Sequence, residues 1–318
     1  MSFETFQTII IIIAAISLFI YGLQSFSHEI ENFGVERLQK WIGKITKIPL
    51  GGFLLGGIIT AVVQSSTMVS SLTVSLVSSG VLSFKDSLLI LLGTNVGTTA
   101  TGWIVTFQSN LLGPIFIVLG TLISMIPTRI ATLGKSIFYF GFIFFSLTFI
   151  SQAMEPLRND PLLVEILSKA SNPLLGILYG IVITVIIQSS SVVVGLVIVL
   201  ISQGVITLDS AIPIVVGANI GTTSTALLVS FKLSPLSRLT ALSASTFNLI
   251  GVLLLLPFLS TLERFVESIT SNPTVQVALA FTISNTLTSI FFLIFLSPTI
   301  KLLKKHRWYK EAMIDMKK

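Results

Sequence analysis

Long apolar blocks, separated by short polar connections, dominate the chain. Each block approaches the roughly 20 residues that a helix needs to cross the hydrocarbon core of a bilayer. The first block follows an acidic residue and lacks a small-residue cleavage site, so we interpret it as a span and not as a signal peptide. The pattern predicts seven transmembrane helices, at 7–26, 87–107, 111–127, 135–152, 210–231, 237–258 and 275–297.

Two other apolar stretches, 50–80 and 174–203, are interrupted by polar residues near their middle. The interruptions are Gln64-Ser65-Ser66-Thr67 and Gln188-Ser189-Ser190-Ser191. The apolar arms on either side are too short to cross a bilayer alone. We therefore predict two re-entrant helical hairpins, which membranes tolerate where the polar tip is buried in protein or lines a cavity.

A charged segment between the first span and the first hairpin has an amphipathic pattern. Its apolar positions are Phe33, Leu38, Trp41, Ile42 and Ile45. They recur at helical spacing with lysines and arginines between them, which predicts an interfacial helix over about residues 30–47. A plain solvated linker is the alternative.

The two interrupted stretches belong to an internal repeat with a constant offset of 124 residues. The segment 93–99 (GTNVGTT) falls on 217–223 (GANIGTT), just as the two Gln-Ser-Ser triplets fall on each other. From residue 64 to residue 107, 18 of 44 positions are identical without a gap, which indicates duplication. We predict a single transmembrane domain over 1–318, with repeat 1 at about 50–152, repeat 2 at about 174–297 and a basic tail at 301–318.

The basic residues predict the orientation of the chain. If seven spans cross and both hairpins return to the side they entered, one side holds 16 of the 19 lysine and arginine residues. Basic loops mark the cytoplasmic side. We expect a multi-pass plasma membrane protein with its N-terminus outside and its C-terminus in the cytoplasm. The same threading inverts one repeat relative to the other, as in many secondary transporters.

Composition narrows the class of protein. The 318 residues are 53% hydrophobic and 10% charged, whereas soluble domains carry about a quarter charged residues. The absence of cysteine excludes disulfides, thiolate metal sites and cysteine nucleophiles. His28 and His306 both lie beside charged flanks, so no histidine-based metal or acid–base centre is expected inside the membrane. The predicted fold class is all-α integral membrane, and an enzyme is not expected because the predicted spans contain no His, Cys, Asp or Glu.

The hairpin tips carry the first candidate chemistry. Serine and threonine hydroxyls lie where the second arm of each hairpin starts, and there the free backbone N–H groups and the helix dipole favour anions. Hydroxyls add hydrogen-bond donors for phosphate oxygens. Helix capping alone is the alternative. Two matched tips that enter from opposite faces favour a binding site.

The glycine segments carry the second candidate chemistry. Gly93 and Gly97, and likewise Gly217 and Gly221, are predicted to unwind a spanning helix locally, which gives each repeat a broken transmembrane helix. Unwound carbonyls and neighbouring side chains would form a set of hard oxygen ligands suited to Na⁺. These side chains are Asn95, Thr98, Thr101, Asn219, Thr222 and Thr225. Close packing of small residues is the alternative.

Three further features are polar or small residues inside apolar stretches. A Gly-x-x-x-Gly pair at 52–56 recurs at 176–180 and is predicted to pack the hairpin arms. Asn248 and Asn285 lie in late spans, where each either hydrogen-bonds a neighbouring helix or lines the wall of the site.

The duplicated Gln-Ser-Ser hairpin, followed each time by Gly-x-Asn-x-Gly-Thr-Thr, resembles the sodium/phosphate cotransporter family of the type II kind over about residues 50–297. The resemblance implies a sodium-coupled inorganic phosphate symporter that works by alternating access, with Na⁺ as coupling ion and no organic cofactor. It implies a phosphate site at Gln64, Ser65, Ser66, Thr67, Gln188, Ser189, Ser190 and Ser191. It also implies one sodium at Gln188, Ser189, Thr222 and Thr225, and another near Gln64, Asn95 and Thr98.

Two features depart from the family's pattern. Many bacterial relatives append a cytosolic regulatory domain, and this chain is expected to lack one because it stops at Lys318. Electrogenic animal relatives carry an aspartate after the first Gly-Thr segment, whereas 106–110 (TFQSN) contains no acid, which leaves the number of coupled sodium ions open.

Two alternative functions stay open at this stage. One is a sodium-coupled carrier of another oxyanion or small carboxylate, because no Arg or Lys lies at the predicted midplane to meet a dianion. The other is a membrane sensor that binds phosphate without carrying it. Expected partners are inorganic phosphate and the lipid bilayer, with no nucleic acid, because the basic tail is typical of a headgroup contact. The oligomeric state is left open, with a homodimer as one option.

Overall fold

The computed structural model describes residues 3–45, 48, 50–107, 109–126, 130–158, 160–305 and 309. Within them the chain forms α-helices and short 3₁₀ turns and no strand. The helices are α1 (Phe3–Ile45), α2 (Gly51–Val63), α3 (Ser66–Ser78), α4 (Phe84–Thr106), α5 (Leu112–Ser124), α6 (Ile130–Met154), α7 (Pro161–Ser168), α8 (Pro173–Ile187), α9 (Ser190–Ser202), α10 (Leu208–Ser230), α11 (Pro235–Leu255), α12 (Leu259–Ile269) and α13 (Pro273–Lys305).

Six apolar stretches within the described residues are long enough to cross a membrane, so the chain is a multi-pass membrane protein. They are Gln7–Glu31, Phe84–Thr106, Ile130–Met154, Leu208–Ser230, Pro235–Ile269 and Pro273–Lys305. Each coincides with a predicted span.

The predicted span at 111–127 is shorter in the structure. α5 has only 13 residues, which is about 20 Å of helix against a hydrocarbon core of about 30 Å. Glycines bring it against α6 along its whole length. A Cβ on Gly113 would be 2.7 Å from the backbone nitrogen of Phe145, and one on Gly141 would be 2.6 Å from that of Ile117. These contacts show that α5 and α6 are antiparallel.

α1 is one uninterrupted helix where the sequence predicted two. The first span and the interfacial helix predicted at about 30–47 join into a single run from Phe3 to Ile45. Residues 26–45 contain no Pro, and the helix continues through Gly34 and Gly43. The predicted apolar face of residues 33–45 lies outside the described side chains.

The two repeats are packed internally in the same way. In repeat 1 α2 lies along α4, and in repeat 2 α8 lies along α10. A Cβ on Gly56 would collide with the carbonyl oxygen of Ile90, and one on Gly180 would collide with that of Ile214. The helix backbones touch at these points, where only glycine fits. The prediction that these glycines serve helix packing is confirmed, because they pack α2 on α4 and α8 on α10.

α4 and α10 run unbroken through their glycine segments, so the predicted local unwinding is wrong. These glycines serve close packing, which was the alternative. A Cβ on Gly93 would collide with the carbonyl oxygen of Phe53, and one on Gly217 would collide with that of Ile177. Because both helices stay wound, their carbonyls keep intrahelical hydrogen bonds and are not released as ion ligands.

Buried aliphatic side chains fix the position of both interruptions. Val63 and Val69 flank the first one and belong to a core formed mainly with α4, α11 and α13. Val192 and Val193 follow the second one and belong to a core formed with α1, α6 and α10. The polar residues are thus held between two packed apolar regions.

Candidate functional site at the paired helix breaks

Each polar interruption ends one helix and starts another in the same way. Gln64 ends α2 and Gln188 ends α8, both in the left-handed region, at φ 58° and 61°, which is uncommon for a residue other than glycine. Ser65 and Ser189 are the N-caps of the next helices. Their hydroxyls accept hydrogen bonds from the backbone N–H three residues on, at 3.3 and 3.4 Å. Helix capping therefore accounts for part of the role of these two serines.

The glutamine amides tie each break to the long helix of the same repeat. Gln64 Oε1 accepts a hydrogen bond from Thr101 Oγ1 at 2.8 Å, and Gln188 Oε1 accepts one from Thr225 Oγ1. Each Nε2 donates to the carbonyl oxygen three residues earlier in its own helix. Each amide oxygen keeps a second lone pair for a further partner.

The breaks also contact each other across the repeats. Thr67 Oγ1 donates to the carbonyl oxygen of Gln188 at 3.2 Å, and the hydroxyls of Ser191 and Thr101 lie 3.1 Å apart. Thr67 and Ser191 occupy equivalent positions of the two repeats. The structure therefore brings both predicted tips to one place.

A cavity of about 320 Å³ lies where the breaks meet, and we call it the tip cavity. Five of the predicted phosphate residues line it, namely Gln64, Ser65, Thr67, Gln188 and Ser189. The volume is at the lower end of the range for small-molecule sites. A cavity of about 360 Å³ beside α11 and α13 is lined mostly by leucine and aromatic side chains and lacks such a polar set.

Ser66 and Ser190 begin α3 and α9 and are 7% and 2% exposed. The Ser190 hydroxyl has no hydrogen-bond partner among the described residues. A buried hydroxyl without a partner is costly, at about 1–3 kcal/mol. Ser190 therefore has an unused donor and acceptor at the start of α9, directly after Ser189, which lines the tip cavity.

A second cavity, of about 20 Å³, lies between the repeats and has room for about one water-sized guest. Its polar lining consists of Ser66, Ser70, Thr94, Asn95, Thr222, Thr223 and Asn248. Two of the predicted sodium residues, Asn95 and Thr222, meet there. They come from different repeats, and the sequence alone does not predict this meeting.

Most of the other predicted sodium residues lie at the tip cavity, whereas Thr98 and Asn219 line neither cavity. Gln64, Gln188 and Ser189 line the tip cavity, and Thr101 and Thr225 contact it through the glutamine amides. The hydroxyls of Thr98 and Thr222 donate to carbonyl oxygens four residues earlier, at 2.7 and 2.9 Å, and keep lone pairs for a cation.

Asn248 of α11 links the equivalent asparagines of the two repeats. Its Oδ1 accepts a hydrogen bond from Asn95 Nδ2 at 2.7 Å, and its Nδ2 donates to the carbonyl oxygen of Asn219 at 2.9 Å. The first alternative for Asn248 is confirmed, because it bonds neighbouring helices, and it also lines the small cavity. Asn285 instead donates within its own helix, to the carbonyl oxygen of Phe281 at 2.8 Å.

Sequence analysis missed a third wall of the tip cavity, which α1 supplies with Gln24, Ser27, His28 and Glu31. Their spacing of i, i+3, i+4 and i+7 forms one polar stripe on a helix, and this signal is present in the sequence. The candidate spanning helix Gln7–Glu31 is longer than the span predicted at 7–26, and it includes His28.

The chain matches the family model described as Na⁺/Pi-cotransporter over residues 18–152 and 151–256. Each matched stretch contains one of the two helix breaks. No solved structure matches the chain significantly.

Three curated proteins illustrate the similarity. The Bacillus subtilis protein YqeW is 30% identical over 283 residues, which cover 88% of this chain and 92% of YqeW. The putative inorganic phosphate export protein YjbB of Escherichia coli K12 is 29% identical over 278 residues, 86% of this chain and 51% of YjbB. Human sodium-dependent phosphate transport protein 2B is 35% identical over 152 residues, 43% of this chain and 21% of that protein. The chain thus spans about half the length of YjbB.

Proposed function

The chain belongs to the Na⁺/Pi-cotransporter family, and on this premise we propose that it carries inorganic phosphate across the membrane, coupled to sodium, by alternating access. The family is one of transporters and not of enzymes. The observation that carries the proposal is the meeting of the two Gln-Ser-Ser breaks, one from each repeat, at one polar cavity.

The proposed phosphate site lies at the starts of α3 and α9. Both helices begin at the breaks, so their first N–H groups and the positive ends of their dipoles favour an anion. The hydroxyl of Ser190 would find its missing partner in a phosphate oxygen. The proposed ligands are Gln64, Ser65, Ser66, Thr67, Gln188, Ser189, Ser190 and Ser191.

We propose that sodium is held by neutral oxygens. One ion would bind Gln188, Ser189, Thr222 and Thr225, and another would bind among Gln64, Asn95, Thr98, Thr101 and Asn219. None of these side chains is acidic, so each ion keeps its full charge and the phosphate balances it. Sodium and phosphate should then strengthen each other's binding by about 1–3 kcal/mol, and the effect should be reciprocal.

Alternating access between repeats requires them to have opposite orientations. α3 and α4 are joined by the short connection 79–83 and therefore run in opposite directions. α3 and α10 run in the same direction, because Ser70 shares the small cavity with Thr222 and Val74 packs with Ala226 one turn further along each helix. α4 and α10, which are equivalent, then point in opposite directions. These contacts support inverted repeats with α2–α3 and α8–α9 as re-entrant hairpins.

We propose that the basic side is cytoplasmic, with the N-terminus outside. The antiparallel packing of α5 on α6 supports this threading, since α5 and its flanking residues then return the chain to the basic side. The parent has no cysteine, so Ser168→Cys and Lys304→Cys can each be probed with an impermeant thiol reagent on intact cells. We expect labelling at position 168 only. Labelling at position 304 only would reverse the orientation.

Flux measurements test the transport function. Purified protein in proteoliposomes should move labelled phosphate when a sodium gradient is imposed, and it should fail to do so when choline replaces sodium. A coupled carrier works in both directions, so inward and outward gradients should each drive flux. This matters because YjbB is named as an exporter. Phosphate binding without flux would indicate a sensor, and stronger inhibition by sulfate or a small carboxylate than by phosphate would indicate a different cargo.

A further inference from the structure

One wall of the tip cavity belongs to neither repeat. It is the face of α1 that carries Gln24, Ser27, His28 and Glu31. Phe19 of the same helix is fully buried. A Cβ on Gly195 of α9 would be 2.7 Å from the Phe19 ring, so α1 and α9 are in direct contact. The polar stripe therefore faces the helix breaks.

The walls formed by the repeats carry no charge. They consist of amides and hydroxyls from Gln64, Ser65, Thr67, Gln188 and Ser189. A phosphate group carries about −1.5 to −2 charges at neutral pH, and an anion taken out of water needs compensating positive charge. Helix N-termini provide only partial charges, so the repeats add no full positive charge beyond that of the proposed sodium ions.

We infer that His28 contacts the bound phosphate and that protonation of His28 strengthens phosphate binding. Histidine is the side chain that ordinarily changes charge between about pH 5 and pH 8, and its N–H groups are donors suited to phosphate oxygens. The inference rests on the proposed function, because it adds a residue to that same site. Gln24 and Ser27 of the same stripe would add neutral donors.

Glu31 is the other titratable group that lines the tip cavity, and it lies one helical turn beyond His28. The helix breaks that face His28 contribute no titratable group. A carboxylate at this position repels phosphate. Replacing His28 should therefore lower the affinity for phosphate, and replacing Glu31 should raise it.

The test is a titration of the full-length protein with inorganic phosphate in saturating sodium, at about pH 6 and about pH 8. We expect His28→Gln to weaken binding about tenfold at the lower pH and much less at the higher pH, because a charge-assisted hydrogen bond is lost. Glu31→Gln should strengthen binding by about twofold or more. The protonation of phosphate itself changes with pH in the same way for all variants. It therefore cancels when the affinity of each variant is divided by that of the parent.

Ser17→Ala is the matched control on α1. Ser17 is exposed and donates within its own helix, to the carbonyl oxygen of Ile13 at 2.7 Å, so its removal should leave phosphate affinity unchanged. If His28→Gln does not fold, Glu31→Gln decides, because unchanged affinity in that variant would contradict the approach of this α1 face to bound phosphate.

Several results would overturn the inference. Parent-like affinity of His28→Gln at both pH values would exclude the contact while leaving the proposed function intact. Equal losses at both pH values would exclude a role for the charge. A parent that binds no phosphate at either pH would remove both the inference and the proposed function.

Discussion

The two helix breaks share their sequence but not their surroundings. In repeat 1, Gln64 and Thr101 are 5% and 2% exposed. In repeat 2, the equivalent Gln188 and Thr225 are only half-buried. The threonines of the glycine segments follow the same rule, since Thr98 is buried and its equivalent Thr222 is half-buried. The Gln–Thr pair of repeat 1 is therefore sealed, and the equivalent pair of repeat 2 is partly open.

The difference comes from the helices that cover each repeat. α13 lies directly on α4, where Ser289 donates to the carbonyl oxygen of Leu92 at 3.0 Å and Thr282 accepts a hydrogen bond from Trp103 Nε1 at 3.0 Å. The hydroxyl of Ser191 further shields Thr101 from the side of the second repeat. The accessibility of a motif is thus set by its neighbours and not by its own residues.

The largest effect on stability should come from the glycine contact that occurs once inside each repeat. Gly56→Ala and Gly180→Ala each place a methyl group on a backbone carbonyl, so each should lower the free energy of unfolding by at least about 1–3 kcal/mol. The two losses should be similar, because these contacts lie inside each repeat. Thermal unfolding of purified protein in detergent is the measurement.

Gly57→Ala is the control for that pair. A Cβ on Gly57 would be 3.4 Å from the Gly93 carbonyl oxygen, which is ordinary contact, and the equivalent residue of repeat 2 is Ile181. Its effect should be close to zero. A loss as large as that of Gly56→Ala would show that small size matters along the whole helix and not at one crossing.

Intermediate effects on stability should distinguish the buried Gln64–Thr101 pair from the half-buried Gln188–Thr225 pair. Thr101→Val leaves the Gln64 amide oxygen and the Ser191 hydroxyl without their buried partner, which should cost about 1–3 kcal/mol of unfolding free energy. Thr225→Val should cost less than about 1 kcal/mol, because water can reach the half-buried Gln188. Chemical denaturation measures both variants, with the exposed Thr121→Val as control. Equal costs would contradict the difference in burial.

The smallest effect should appear in side-chain accessibility. With no cysteine in the parent, Thr98→Cys and Thr222→Cys report directly on the two repeats. We expect a small thiol reagent to modify position 222 about tenfold faster, a difference of about 1.4 kcal/mol in the free energy of access. Labelling after denaturation should be equal at the two positions. Faster modification at position 98 than at position 222 would mean that repeat 1, and not repeat 2, is the more accessible copy.

The elements that could be predicted from the sequence are those whose cause is local. Six of the predicted spans correspond to spanning helices because about 20 apolar residues suffice to form one in a bilayer. The Gln-Ser-Ser breaks were found because the duplication repeats them at a constant offset. The predicted unwinding of the glycine segments was wrong because glycine permits both unwinding and close packing. Which of the two occurs depends on the helix that packs against the segment.

The sequence by itself determined that this is a multi-pass helical membrane protein of the phosphate cotransporter family with a duplicated polar motif. Only the tertiary structure decided which groups share a cavity. It brought His28 and Glu31 of α1 to the helix breaks and placed Asn248 between Asn95 and Asn219. These residues are far apart in the chain, and their proximity depends on how helices pack against one another. Hydrophobic patterning reports only whether a residue faces lipid or protein, so it does not reveal which protein neighbour a residue meets.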